Sequence, residues 1–232
     1  KFKDENIDEK MKQVHAAGGL VGIAHPFQLG TPICTGGRWD FRVQDFSLVN
    51  YMEIWSEGEP LMNTANRSAR KMWHEKLSEG FRIAPTMGRD WHRAERNIRK
   101  GACTYLLCEG ESLTSEGMKD AIERCRTSVS AGPLFYFTTD KGETVGDEIP
   151  EGERSFKFTV DSERFDSVGF DYEVVPERIV LYTDNLKIAA ECKINEEISI
   201  SLKKGYYTAE LYGRIGDSEN DLIAFTAPIY VR

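Results

Sequence analysis

Residues 87–95 read MGRDWHRAE, placing Asp90 two positions before His92. In extended backbone such a pair points the same way, so one carboxylate oxygen and one imidazole nitrogen can converge on a single ion. A hard carboxylate beside a neutral imidazole suits Zn, Mn or Fe. A divalent ion held there would lower the pKa of its water and stabilise charge growing on a phosphoryl or acyl oxygen. His25 is the second candidate: it closes the apolar run LVGIAH (20–25) and precedes Pro26. A side chain so placed projects from the carboxyl end of a strand, where α/β folds build their sites. Each feature also has a plainer explanation. Asp90 can cap a solvated turn with His92 packed beside Trp91, and His25 can be a strand-end histidine bonded to a carbonyl. His15 and His74, the other two of the four histidines, lie in helical stretches beside apolar residues and read as helix-surface or boundary positions.

The elements that must carry these residues come in two textures. Up to about residue 130, helical periods alternate with short apolar runs, the pattern of βα units. Ile7, Met11 and Val14 recur at helical spacing, Gly18-Gly19 closes that segment, and LVGIAH follows as a buried strand. VNYMEIW (49–55) is strand-like, Leu61 to Glu79 is a long helix stopped by Gly80, and RIAPTM (82–87) is a further strand whose end carries Asp90 and His92. Thr114 is placed to cap a helix through SEGMKDAIERCR, and Gly132-Pro133 breaks the pattern. Beyond that point SFKFTV, ERIVLYT, LKIAAEC, ISISL, YYTAELYG and LIAFTAPIYV alternate in the two-residue period of half-buried strands, with Asp184-Asn185 a plausible hairpin turn. Strands this short and this closely spaced predict a β-sandwich, with Tyr182, Tyr206, Tyr207, Tyr212 and Phe225 mostly in its core. The expected organisation is an α/β part over residues 1–133 and an all-β part over residues 134–232, joined near DKGETVGDEIPEGE (140–153).

Composition narrows the function classes. A chain of 232 residues with 40% hydrophobic content can bury a sizeable core. A net charge of −8 and the lack of any long Lys/Arg run argue against wrapping nucleic acid. The five cysteines, Cys34, Cys103, Cys108, Cys125 and Cys192, are odd in number and lack C-x-x-C spacing, which disfavours both a disulfide framework and a cysteine zinc cluster. No apolar run reaches the roughly 20 residues of a membrane span, and KFKDENIDEK is not a signal peptide. A soluble, cytoplasmic protein is expected, ahead of a secreted one. The start at Lys1 without a Met suggests that an upstream portion is missing.

Taken in order, AAGGLVGIAHPF (16–27), YMEIW (51–55), WHEKLSEGFRIAPTMGRDWH (73–92), the stretch 101–133 and the closing APIYVR (227–232) together resemble the PHP superfamily of metal-dependent phosphoesterases, in its CehA/McbA-like metallohydrolase branch. The resemblance implies the second part of a distorted, TIM-like (β/α)7 PHP barrel followed by an immunoglobulin-like β-sandwich. It implies His25, Asp90 and His92 as metal ligands, with Asp90 and His92 at the catalytic centre, and Glu53 as a carboxylate orienting the ligands. Arg89 stands where the family usually carries a small residue. It is a candidate contact for an anionic substrate oxygen, although pairing with Asp90 or Glu95 is the plainer role.

The family's opening D-x-H-x-H motif and its mid-barrel ligands are absent, and no two histidines of this chain lie two apart. The implied activity is water, activated by divalent metal (Zn, Mn or Fe), attacking a phosphate ester or a related ester or carbamate. The metal would be incompletely coordinated by this chain and completed by a missing N-terminal half-barrel or a partner chain, so this chain alone is expected to bind metal poorly and to be inactive. The alternative is a degenerate, non-catalytic hydrolase whose β-sandwich serves as a binding or assembly module. A Ser or Cys nucleophile ranks last, since no G-x-S-x-G occurs.

Overall fold

The computed structural model describes residues 7–28, 42–56, 63–89, 101–110, 113–163 and 172–232. Its first part is a small parallel layer. Helix α1 (Ile7–Ala16) precedes strand β1 (Gly22–Ile23), strand β2 (Tyr51–Ser56) and helix α2 (Thr64–Ser78) follow, and strand β3 (Ala84–Gly88) completes the layer. The strands pair in parallel in the order β1-β2-β3, with Gly22 opposite Tyr51 and Glu53 opposite Thr86. Asn63 starts α2 because its side-chain oxygen accepts the Ala65 N–H at 2.9 Å, satisfying one of the donors that a helix start leaves open. Ala69, Trp73 and Leu77 recur at helical spacing and are buried, and Trp73 Nε1 donates to the Ile83 carbonyl at 2.9 Å, fastening the helix to the entry of β3.

The chain does not continue as a barrel. Strands β4 (Cys103–Leu106) and β5 (Thr127–Ser130) flank helix α3 (Ser115–Glu123), yet they pair antiparallel, with Cys103 opposite Ser130. β5 then pairs with strand β13 (Ser218–Thr226). The remaining strands are β6 (Leu134–Thr139), β7 (Glu148–Ile149), β8 (Gly152–Asp161), β9 (Val174–Thr183), β10 (Lys187–Lys193), β11 (Ile198–Leu202), β12 (Gly205–Ile215) and β14 (Ile229–Val231). The larger sheet runs β10-β9-β12-β13-β5-β4, with β14 on β12 and β7 on β14, and the smaller runs β11-β8-β6. The two lie face to face. Phe156 of the small sheet stacks on Tyr207 of the large one at 6.4 Å, and Phe137 meets Phe156 edge-on at 5.4 Å.

The expected TIM-like (β/α)7 barrel is therefore wrong. Among the described residues strand predominates over helix, only three α-helices occur, and no sheet closes. The error has a physical source. A helix between two strands looks the same in sequence whether the strands run parallel or antiparallel, and β5 is buried at all four positions, so it has no alternation to betray its sheet. The sandwich expected after residue 133 is compatible with the two packed sheets, but the larger sheet recruits β4 and β5 from before that point. The layers share one apolar core. Trp55 of β2 and Trp73 of α2 both pack on Phe225 of β13, at 6.5 and 6.1 Å. No described helix is long and apolar enough to cross a membrane.

Candidate functional site

Parallel pairing puts the carboxyl ends of β1, β2 and β3 side by side, and three of the candidates, His25, Glu53 and Arg89, lie on or just beyond these strands. His25 lies two residues beyond β1, Glu53 lies within β2, and Arg89, partly buried, directly follows β3. Asp90 and His92 lie outside the described residues. His25 and Glu53 are in direct contact: the His25 ring Nδ1 is 2.7 Å from Glu53 Oε2, and the His25 backbone N–H donates to the same oxygen at 3.0 Å. Both side chains are partly shielded, 29% and 20% exposed.

The local backbone explains why this contact needs a strong partner. His25 has φ of 29°, although it precedes Pro26, where sterics favour extended backbone. A non-glycine residue in this region stores of order 1–3 kcal/mol of strain and persists only where its surroundings hold it. Glu53 does so through two bonds, and the Gln28 N–H closes the turn onto the His25 carbonyl at 3.0 Å. Glycine at position 88 makes room for the carboxylate: a Cβ there would stand 2.0 Å from Glu53 Oε1. With Nδ1 committed to a carboxylate, Nε2 is the ring nitrogen left for another partner, the arrangement by which carboxylates orient metal-bound histidines.

The start of α2 forms the other wall. His25, Phe27, Gln28, Glu53, Ala65, Asn66 and Ala69 line one shallow cleft. Asn66 is buried there, its side-chain oxygen accepting the N–H of Ser56 at the end of β2, and the Ser56 hydroxyl donates to Gln28 at 2.8 Å. Thr86, opposite Glu53 in β3, is also buried. No protein-family model, curated protein or solved structure matches the chain. Among the described residues no group of three or more His, Cys, Asp or Glu could hold a metal ion. His25 and Glu53 supply two donors, short of the three or four that an ion normally takes from protein.

Sequence reasoning missed a buried charged cluster, and misplaced one of its members. His74, expected at a helix surface or boundary, is fully buried between α2 and the sandwich. Its Nδ1 lies 2.8 Å from the Tyr206 hydroxyl, and its Nε2 is 3.8 Å from Glu210 Oε1, beyond hydrogen-bond length. Glu210, 1% exposed on β12, receives both arms of Arg70 at 2.6 and 2.7 Å and the hydroxyl proton of Tyr212. Burial alone would push the Glu210 carboxyl up, but the Arg70 charge and the hydrogen bonds outweigh it and hold the group at about 2. Burial pushes the His74 imidazole down, and Glu210 does not fully restore it. The one available signal was the spacing of Asn66, Arg70 and His74 at i, i+4 and i+8 on a helix, a polar stripe needing a partner. By contrast His15 is a boundary residue as expected, its Nε2 2.8 Å from the Leu48 carbonyl.

Proposed function

We propose that the carboxyl ends of β1, β2 and β3 carry part of the site of a metal-dependent hydrolase acting on a phosphate ester or related ester. The observation that supports it is the strained His25 backbone, held with its ring by one oxygen of Glu53 at the position where parallel sheets place ligand-binding groups. His25 would hold a divalent ion through Nε2, with Glu53 fixing its tautomer and orientation, and Asp90 and His92 would add an oxygen and a nitrogen from the segment after β3. The ion would supply water activation and charge stabilisation. The protein's own part is to hold His25 in one orientation and to keep the Glu53 carboxylate against it. The donor set is then completed by residues outside those described or by a second chain.

The shortage of donors among the described residues favours one other reading, a protein that binds through its sandwich and no longer hydrolyses anything. Calorimetric titration of the chain with Zn2+ and Mn2+, beside His25→Asn and Asp90→Ala, separates the two. The hydrolase reading expects weak but measurable binding that each substitution reduces at least tenfold. Binding that neither substitution changes, or none at all, rejects it.

A further inference from the structure

The Glu210 cluster lies outside the cleft, yet it grips the same helix that forms one of the cleft's walls. Asn66, Arg70 and His74 follow one another at successive turns along a single stripe of α2. At the first turn Asn66 binds the Ser56 N–H, three residues after Glu53 on β2, and Ala65 and Ala69 face the cleft beside it. One turn on, about 5.4 Å along the axis, Arg70 makes its two-armed contact with Glu210. A further turn on, His74 meets Tyr206 of the same strand, β12. The guanidinium also lies over the Tyr182 ring at 5.2 Å, and Tyr182 meets the Tyr212 hydroxyl at 3.2 Å. A planar fork gripping a carboxylate at two points fixes direction as well as distance, so the Glu210 contact constrains the rotation of α2 about its own axis, beside the Trp73 bond to Ile83.

We infer that Glu210 is a positioning residue for the His25–Glu53 pair, acting through Arg70 and the rotation of α2. The inference rests on the proposal that this pair is the working site, but its test does not depend on any metal. If the grip is lost, Ala69, Trp73 and Leu77 still bury the apolar face of α2, and the helix still packs against β2. It loses the contact that decides which way Asn66 and the cleft-lining alanines face. The end of β2 then loosens, and Glu53 with it.

The test is the ring spectrum of His25 in the full chain labelled with 15N-histidine, assigned by its disappearance in His25→Asn. In the wild type the Nδ1 proton held by Glu53 is expected far downfield and slow to exchange. In Glu210→Gln, and in the double variant Arg70→Met with Glu210→Leu, it is expected to move upfield and exchange at least tenfold faster. Glu191→Gln, on exposed β10 and paired with Arg178, should leave it unmoved. The double variant guards against simple unfolding, because replacing a buried ion pair by apolar residues of similar size is often neutral or stabilising. Arg70→Lys, which keeps the charge pair but not the two-armed grip, decides the matter should the double variant fail to fold. A folded variant in which the His74 signals shift while the His25 proton keeps its position and exchange rate overturns the inference. Failure of metal binding with the expected His25 response would instead overturn the hydrolase reading and leave the positioning role standing.

Discussion

Replacing Glu210 by Gln removes one charge and little volume from a site where the partner guanidinium cannot readily reach water. Arg70 is 17% exposed and Glu210 1%. Breaking a buried pair from one side costs about 3–5 kcal/mol, because the remaining charge is left uncompensated. The depressed Glu210 carboxyl points in the same direction and to the same order of magnitude. It is held at about 2 against an ordinary value of 4.5, and at about 1.4 kcal/mol per unit this amounts to about 3 kcal/mol. The folded-state value is depressed, so the stabilisation is fully present above pH 4.5 and is lost as the pH falls from 4.5 towards 2. Urea unfolding of wild type and Glu210→Gln at neutral pH should differ in midpoint by roughly 1 M, taking a slope near 3 kcal/mol per M for a chain of this size. Repeated at acid pH, the gap should narrow steadily below pH 4.5. A gap under about 1 kcal/mol at neutral pH, the value of an exposed pair, or one that stays constant into acid, would refute the reasoning.

Three further substitutions test other parts of the structure. Gly88→Ala sets a Cβ 2.0 Å from the Glu53 carboxylate, the movable end of a side chain; it should cost under about 1.5 kcal/mol in urea unfolding yet release the His25 Nδ1 proton in the nitrogen spectrum. Gly213→Ala sets its Cβ 2.0 Å from the Val175 carbonyl. Backbone cannot yield so cheaply, and this variant should lose at least about 3 kcal/mol or fail to fold, read by circular dichroism. Thr114→Ala removes the side chain that accepts the Gly117 N–H at 3.0 Å at the start of α3, and a loss of about 1 kcal/mol in thermal unfolding is expected.

The local elements were legible because their signals are local. Met11 is the buried contact of α1, Thr114 caps α3, and Gly80 ends α2 with a φ of 94°, each readable from spacing and residue type. Tyr206, Tyr207, Tyr212 and Phe225 are buried, as strand alternation implied. Strand direction was not legible: whether β4 and β5 extend a parallel barrel or fold back into a sandwich is decided by contacts with β13, nearly a hundred residues away in sequence. The His25–Glu53 contact lay between these extremes. Each residue could be placed at a strand end, but the 2.7 Å approach depends on the parallel register of β1 on β2. The Glu210 cluster was legible only from one side: the Asn66, Arg70 and His74 stripe calls for a partner, but Glu210 lies 140 positions from Arg70 and no spacing in the sequence joins them.

The packing of Trp55 and Trp73 on Phe225 bears on how such a chain can be divided. A segment ending before β13 would expose two indole rings and strip β5 of its only partner on that side, while a segment beginning after β5 would leave β13 an open edge beside an uncovered aromatic face. Either cut divides the one apolar core that the parallel layer and the sandwich share. Proteases cutting at exposed loops should therefore yield a nicked chain whose fragments stay together until both are denatured, and any recombination of this chain with another would have to carry the parallel layer and the sandwich as one inheritance.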